Sequence, residues 1–413
     1  MSGSIEAEEL ILNSHSPSGD WPFAYGRTTR ENPWESILPD YCRGPDIIYA
    51  DGVLHAGTPA WVPRRMADIR EIYANMQHFS SMGMTPFSAL VDAEWAVLPL
   101  ETDAAAHVAY RKVLNPAFTP KAVARLDERM RRDARAHVAK FRDAGECDFM
   151  AEFALEFPIR VFLSLMAMPE ELVEQFLDWE HDLVHSPDLP TLTSATRAVV
   201  DYLTATIDER KRRPGEHLIS QAISARTTDE RALSDDELLG VCFNLFIGGL
   251  DSVSTNMAWQ IFHLATHADD QDTLRRDMAS IPAAIDEMQR YYAAVTTYRR
   301  CIRPYSVAGA TIQPGEFVAM STTIAGRDDH EFDNPHEVRL RRRPRHVAFG
   351  FGPHLCLGVH LARREMRIAL EEFLSTIPRF HLREGVPIAT TLHSTLQPDV
   401  LPIAWDPKAE AIS

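Results

Sequence analysis

A mainly α fold, a helix-rich body with small β-sheets near both ends, is what this sequence predicts. Three observations carry that prediction. Apolar residues recur at helical spacing over most of the 413 residues, one stretch from Ser234 to His267 is apolar on nearly every face, and the alternating runs are short and flanked by turn residues. Hydrophobic content of 45% and charged content of 24% are ordinary for a globular chain long enough to bury a large core. No repeat, low-complexity run or linker divides it, so residues 1–413 are read as one domain.

Residues 1–39, rich in Pro, Trp and Ser, predict an irregular arm. From Asp46 to Ala56 the pattern predicts a hairpin turning at Asp51-Gly52, between Ile47-Ile48-Tyr49 and Val53-Leu54. Lys121 to Asp143 carries a stripe of Val123, Leu126, Met130, Ala134, Val138 and Phe141, which predicts an amphipathic helix stopped by Gly145. Ser234-Asp235-Asp236-Glu237 is a capping box and opens the longest element, a helix reaching His267. At 1.5 Å per residue it extends roughly 50 Å, and being apolar all round it belongs in the core. A second β stretch, Arg303 to Met320, turns at Pro314-Gly315, and short extended runs broken by proline close the chain.

A net charge of −17 speaks against nucleic acid as a partner. The polar, acidic N-terminus has no apolar signal region, and no run of membrane-spanning length is free of charges. Five cysteines without regular spacing fit a reducing compartment. A cytoplasmic monomer without membrane contact is expected.

The unusual chemistry concentrates in Phe349-Gly350-Phe351-Gly352-Pro353-His354-Leu355-Cys356-Leu357-Gly358. Helical spacing resumes behind it at Leu361, Met366, Leu370, Phe373 and Leu374, so Cys356 is expected at a helix N-terminus. Unpaired N–H groups and the helix dipole there favour a thiolate, hence a nucleophile or a metal ligand. Cys42, Cys147, Cys242 and Cys301 are scattered singly, which argues against a zinc or iron–sulfur site. A thiol hydrolase could enlist His354, and a lone cysteine can also be a small buried apolar residue. The glycines instead suit a backbone lying flat against something broad. Phe349, Gly352, His354, Cys356 and Gly358 resemble the ligand loop of the cytochromes P450, where one thiolate lies under haem. The resemblance runs from about Asp46 to Trp405 and implies the P450 fold, haem b, and Cys356 as the iron ligand. Within the family it points to the soluble bacterial camphor hydroxylases, through His78-Phe79-Ser80-Ser81, Phe157-Pro158-Ile159-Arg160 and Gly248-Gly249-Leu250-Asp251.

Gly248-Gly249-Leu250-Asp251-Ser252 interrupts the long apolar helix. Each glycine costs about 1 kcal/mol relative to alanine there, and the carboxylate and hydroxyl cost more unless partnered. Either another helix crosses closely at the glycines, or the helix opens beside a ligand. The resemblance implies the second, because the pentapeptide is similar to the P450 oxygen-binding groove. Asp251 would help deliver protons, and Ser252, where the family usually has threonine, would serve bound dioxygen.

The resemblance implies further roles. Glu287 and Arg290, at i and i+3, would form a buried pair completed by Arg342, with Arg341 as the neighbouring candidate. His107 and Arg111, at i and i+4, together with Arg299 and His346, would meet the haem propionates. Phe87, Trp95, Asn244, Val295, Thr296 and Leu396 would line a mostly apolar pocket for a small monoterpenoid or norisoprenoid. Camphor-binding relatives place a tyrosine hydroxyl where Trp95 falls, so camphor itself is expected to bind poorly. Arg339, Arg341, Arg342, Arg343 and Arg345, with Arg111, Lys112, Arg363 and Arg364, predict a basic patch on an acidic chain. Such a patch suits an acidic 2Fe–2S ferredoxin, itself served by a ferredoxin reductase. The implied activity is a monooxygenase that inserts one atom of O2 into a C–H bond. A peroxide-driven haem-thiolate enzyme and a non-catalytic haem-thiolate sensor are the rival readings. The Asp251–Ser252 pair argues against the first, and that pair beside a full pocket argues against the second.

Overall fold

The computed structural model of the protein describes residues 21–409 apart from 22, 187 and 394. The helices that frame the site are α1 (Met66–Ala74), α2 (Ala104–Leu114), α3 (Asp127–Phe141), α4 (Glu156–Met166), α5 (Val173–Val184), α6 (Leu189–Arg212), α7 (Asp235–Thr266), α8 (Ile281–Tyr291) and α9 (Val359–Thr376). The predicted capping box starts α7: the Ser234 hydroxyl accepts from the Glu237 N–H, and the Glu237 carboxylate accepts from the Ser234 N–H. The helix then packs against α4, α5, α6, α8 and α9, which explains its all-round apolar surface. Helix α7 is long and apolar enough to cross a membrane by length and composition, but it carries Asp251 in its middle and 67% of its most apolar window is buried inside the protein, as a core helix is.

The predicted stripe of α3 is buried at Met130, Ala134, Val138 and Phe141, against α9 and α4. The helix begins later than expected, because Pro120–Val123 and Ala124–Leu126 form separate short turns ahead of it.

Five strands form the main sheet: β1 (Ile47–Ala50), β2 (Ala60–Pro63), β3 (Phe79–Ser80), β4 (Thr296–Cys301) and β5 (Phe317–Ser321), in the order β1-β2-β5-β4-β3. The predicted hairpin had the wrong return strand. Ile47 to Ala50 pair with Pro63 back to Ala60, while Val53 is buried and a helical turn, His55–Gly57, intervenes. Burial of an apolar residue outweighed the local turn signal.

The same cause overturns the irregular arm. Trp21, Phe23 and Trp34 are buried, and the Trp34 ring meets Trp259 and Tyr292 edge-on at 5.1 and 5.2 Å. Thr28–Thr29 pairs with the start of β6 (Thr390–Leu392), whose other neighbour is β7 (Leu396–Pro398). Residues 1–20 of the predicted arm lie outside the described residues.

Glu287 and Arg290 are fully buried on α8. Glu287 Oε1 accepts from Arg290 at 2.8 Å, from Arg342 Nε at 3.0 Å and from the Arg339 N–H at 2.9 Å. Arg290 also donates to the carbonyls of Gly326, Pro335 and Glu337. Such saturation is what a buried ion pair requires, and it pins the 326–342 segment that leads into the cysteine loop. Arg342 rather than Arg341 occupies the third place, and Arg341 points to solvent.

Candidate active site

The cysteine loop is tied by backbone bonds. The Cys356 N–H donates to the Phe349 carbonyl at 2.9 Å, and Gly350 N–H donates to Val347. Gly350 and Gly352 take φ of +73° and +70°, and α1 passes beneath Gly352, so side chains there would be strained. Helix α9 begins only at Val359, with Gly358 as its N-cap, so Cys356 stands ahead of the first turn rather than on it. Burial pushes the Cys356 thiol up, against a Gly358 N–H and the Arg111 charge that pull it down. The expected free thiolate is therefore not favoured by the helix end alone, and a coordinated cation would supply the missing stabilisation. The other cysteines are buried, whereas Cys356 is partly open.

Beside the loop, cationic and donor groups converge. The rings of His107 on α2 and His354 lie 4.0 Å apart. Burial, then the charges of Arg111 and Arg299, push His107 down to about 4. Burial, then Arg299 and His107, push His354 down to about 3. Arg111 donates to the Leu355 carbonyl of the loop at 2.7 Å. Arg299 is buried on β4, and burial lowers its pKa. Asp103, the N-cap of α2, is engaged by Ser80 and Ser81 instead of capping its own helix. Mutually repelling groups held this close fit an anion between them, as the two haem propionates would be. His346 is the exception. It faces Asp286 on α8 at 3.8 Å and packs on the Phe349 ring, and its buried Nε2 makes no hydrogen bond.

Helix α7 presents an open strip where its sequence is polar. Asn244, Gly248, Ser252 and Asn256, four residues apart, are partly open to solvent on an otherwise buried helix. A Cβ at Gly248 would meet no atom within 4 Å, which excludes a close helix crossing there. The helix is continuous across the pentapeptide, so it does not break open as expected; glycine makes the room instead. Ser252 donates to the Gly248 carbonyl at 3.3 Å. The open strip, the cysteine loop and the cationic cradle together fit a broad planar group with two carboxylates.

Asp251 does not share the strip. It is 4% exposed and its side chain is turned away, with Oδ2 accepting from Thr395 at 2.6 Å and Oδ1 from Gln397 at 2.9 Å. A desolvated carboxylate takes the donors it can reach, and these lie on the 395–397 segment. His185 Nε2, at the end of α5, stands 3.4 Å from Asp251 and 3.5 Å from Glu180. Burial lowers the His185 pKa, but the two carboxylates outweigh it and hold the imidazole up to about 10. Burial raises Glu180. Nothing in the motif reading signalled Thr395, Gln397, Glu180 or His185. Only the clustering of Glu180, His181 and His185 within six residues could have hinted at them.

The predicted pocket residues fall into two groups. Phe87 and Trp95 both pack on Phe243 of α7, at 5.0 and 4.8 Å, and Phe243 had not been singled out. Trp95 Nε1 is buried without a hydrogen-bond partner. Val295 pairs with Thr395, Thr296 is buried at the start of β4, and the buried Leu396 accepts from Trp259 Nε1 at 2.7 Å. No hydrogen bond or ring contact joins the two groups among the described residues.

The family model "Cytochrome P450" matches residues 58–399. "Probable cytochrome P450 127A1" of Sinorhizobium fredii is 32% identical over 360 residues, covering 87% of this chain and 86% of that protein. Steroid C26-monooxygenase of Mycobacterium tuberculosis is 30% identical, covering 82% of this chain and 91% of its own. The solved structure of cytochrome P450 CYP101C1 superposes with a TM-score of 0.83 at 28% identity, covering 94% of this chain and 97% of that one. Likeness in fold thus extends to camphor-type enzymes, while these sequence relatives carry other P450 names. With matched residues that include the loop, the strip and most of the cradle, the chain belongs to the cytochrome P450 family and is a haem-thiolate monooxygenase that binds haem b.

Proposed function

We propose that this monooxygenase hydroxylates a small, mostly apolar molecule bearing one hydrogen-bond acceptor, of monoterpenoid or norisoprenoid size. The observation that carries this reading is the aromatic wall of Phe87, Trp95 and Phe243 with a buried, unpartnered Trp95 N–H. An orphaned donor costs about 1–3 kcal/mol, which a ligand oxygen would recover. One similar protein, from a Pseudomonas species, is named "Cytochrome P450-terp" and is 29% identical over 73% of this chain. Screening terpenoid ketones and alcohols for the low-spin to high-spin shift of the haem spectrum tests the reading. A terpenoid ketone is expected to shift the spectrum fully, its deoxygenated hydrocarbon to bind about tenfold more weakly, and camphor to bind poorly. Tight camphor binding with full conversion, or no difference between ketone and hydrocarbon, sinks the pocket argument.

Haem, when bound, supplies the O2 activation and C–H oxidation, with the Cys356 sulfur favouring O–O cleavage. The protein's share is to hold the propionates with His107, His354, Arg111 and Arg299, to position the substrate, and to move protons. Ser252 lies on the open strip and would hand on a proton there. Asp251 stands one residue behind it and would need to turn from Thr395 and Gln397 to reload it.

The redox partner is proposed to be an acidic 2Fe–2S ferredoxin. Phe351 and Leu355, 40% and 42% exposed, put apolar surface on the cysteine loop. Arg70 lies over the Phe351 ring and donates to the Arg345 carbonyl. Arg341, Arg343 and Arg345 are exposed and have no acidic partner within ion-pair distance among the described residues. The patch is smaller than the sequence suggested, since Arg339, Arg342, Arg363, Arg364 and Lys112 are paired with Glu337, Glu287, Asp286, Asp127 and Glu230. Unpaired charge around apolar surface steers an oppositely charged partner. Arg343→Glu is expected to raise the apparent ferredoxin KM several-fold without altering substrate binding. Turnover should also fall with salt over the range where the Debye length drops below about 10 Å. A silent reversal together with salt-independent turnover places docking elsewhere.

A further inference from the structure

Glu180 and His185, which cluster with Asp251, are not required by anything above. The side-chain ligand atoms of the three all lie within 4.8 Å of one another. Charge-assisted hydrogen bonds draw N and O to about 2.7–2.9 Å. Here the His185 nitrogen is 3.4 and 3.5 Å from the two carboxylates, and neither His185 Nε2 nor Glu180 Oε1 makes a hydrogen bond. Ligand atoms around a tetrahedral zinc-class ion, at about 2.0–2.2 Å from the metal, stand roughly 3.3–3.5 Å apart. The two nitrogen–oxygen spacings are long for charge-assisted hydrogen bonds and match those of ligands sharing an ion, and the third pair of ligand atoms lies within 4.8 Å.

Other features agree. Glu180 is 5% exposed in its side chain, makes no hydrogen bond at Oε1, and turns that oxygen toward His185 at 3.5 Å. Asp251 is already oriented by Thr395 and Gln397, as outer partners orient a metal-binding carboxylate. His185 retains 14% exposure, which leaves a way in. One imidazole and two carboxylates without sulfur suit zinc, and other divalent first-row ions less selectively.

We propose that Glu180, His185 and Asp251 form a binding site for a divalent ion of the zinc class. An ion there withdraws Asp251 from proton handling, a consequence that rests on the role given to Asp251 above.

The test is equilibrium dialysis of Zn2+ against the haem-loaded full chain in a non-chelating buffer. One Zn2+ per chain is expected, with affinity falling at least about 100-fold in both His185→Gln and Glu180→Gln, since loss of an outer partner alone costs about 10–100-fold. The spectrum of the reduced carbon monoxide complex must stay that of the wild type in both variants, showing that fold and haem are intact. No binding below the millimolar range, or one site unaffected by either substitution, overturns the proposal and leaves an imidazolium between two carboxylates. Dialysis needs no turnover, so it is independent of the activity. In a coupled assay, saturating Zn2+ should lower product formed per NADH in the wild type and leave His185→Gln unchanged. Binding as expected with unchanged coupling upholds the site and overturns the proton-handling consequence.

Discussion

Cys356→His is expected to abolish the red-shifted Soret band of the reduced carbon monoxide complex and to reduce hydroxylation below detection. Cys42, Cys147, Cys242 and Cys301 are buried in the packed interior. Cys356 alone among the described cysteines opens beside the cationic cradle, with a Gly358 N–H and Arg111 favouring its ionised form. A neutral imidazole cannot replace the electron density that an anionic sulfur provides for O–O cleavage. Folding should survive, because the loop is held by the Phe349 carbonyl, Gly350 and Gly352 rather than by the cysteine side chain. A wild-type spectrum resembling that of a histidine-ligated globin would end this reading altogether.

Ser252→Ala is expected to go on consuming NADH and O2 while releasing peroxide, with product per NADH falling at least tenfold. Positioned proton transfer typically contributes about 10²–10⁴-fold. The hydroxyl's one protein bond, to the Gly248 carbonyl, is long at 3.3 Å, so stability should change by less than about 1 kcal/mol. Large loss of coupling without loss of stability separates a proton-handling hydroxyl from a structural one. Ser252→Thr should retain coupling, since the hydroxyl is kept and the β-branch restricts its rotamer. Coupling unchanged in the alanine variant would make Ser252 structural and favour a peroxide-driven enzyme.

The sequence by itself determined those features whose cause is local. The capping box at Ser234, the all-apolar surface of α7, the stripe of α3 and the turn at Pro314-Gly315 rest on periodicity and backbone chemistry within a few residues. The cysteine loop and the glycines of α7 were legible for the same reason, since glycine and a lone cysteine state their backbone and ligand chemistry in place. Tertiary structure decided wherever a residue had several partners in reach. Val53 and Trp34 left their predicted hairpin and arm because burying apolar area outweighs a turn signal. Arg364 went to Asp127, and Asp251 to Thr395 and Gln397, more than 140 positions away in the chain. A charged or polar side chain removed from water goes to whichever counter-group the fold brings nearest. Spacing along the chain does not specify that neighbour, and neither the Glu180–His185–Asp251 cluster nor the Phe87–Phe243–Trp95 wall exists until helices distant in sequence are packed together.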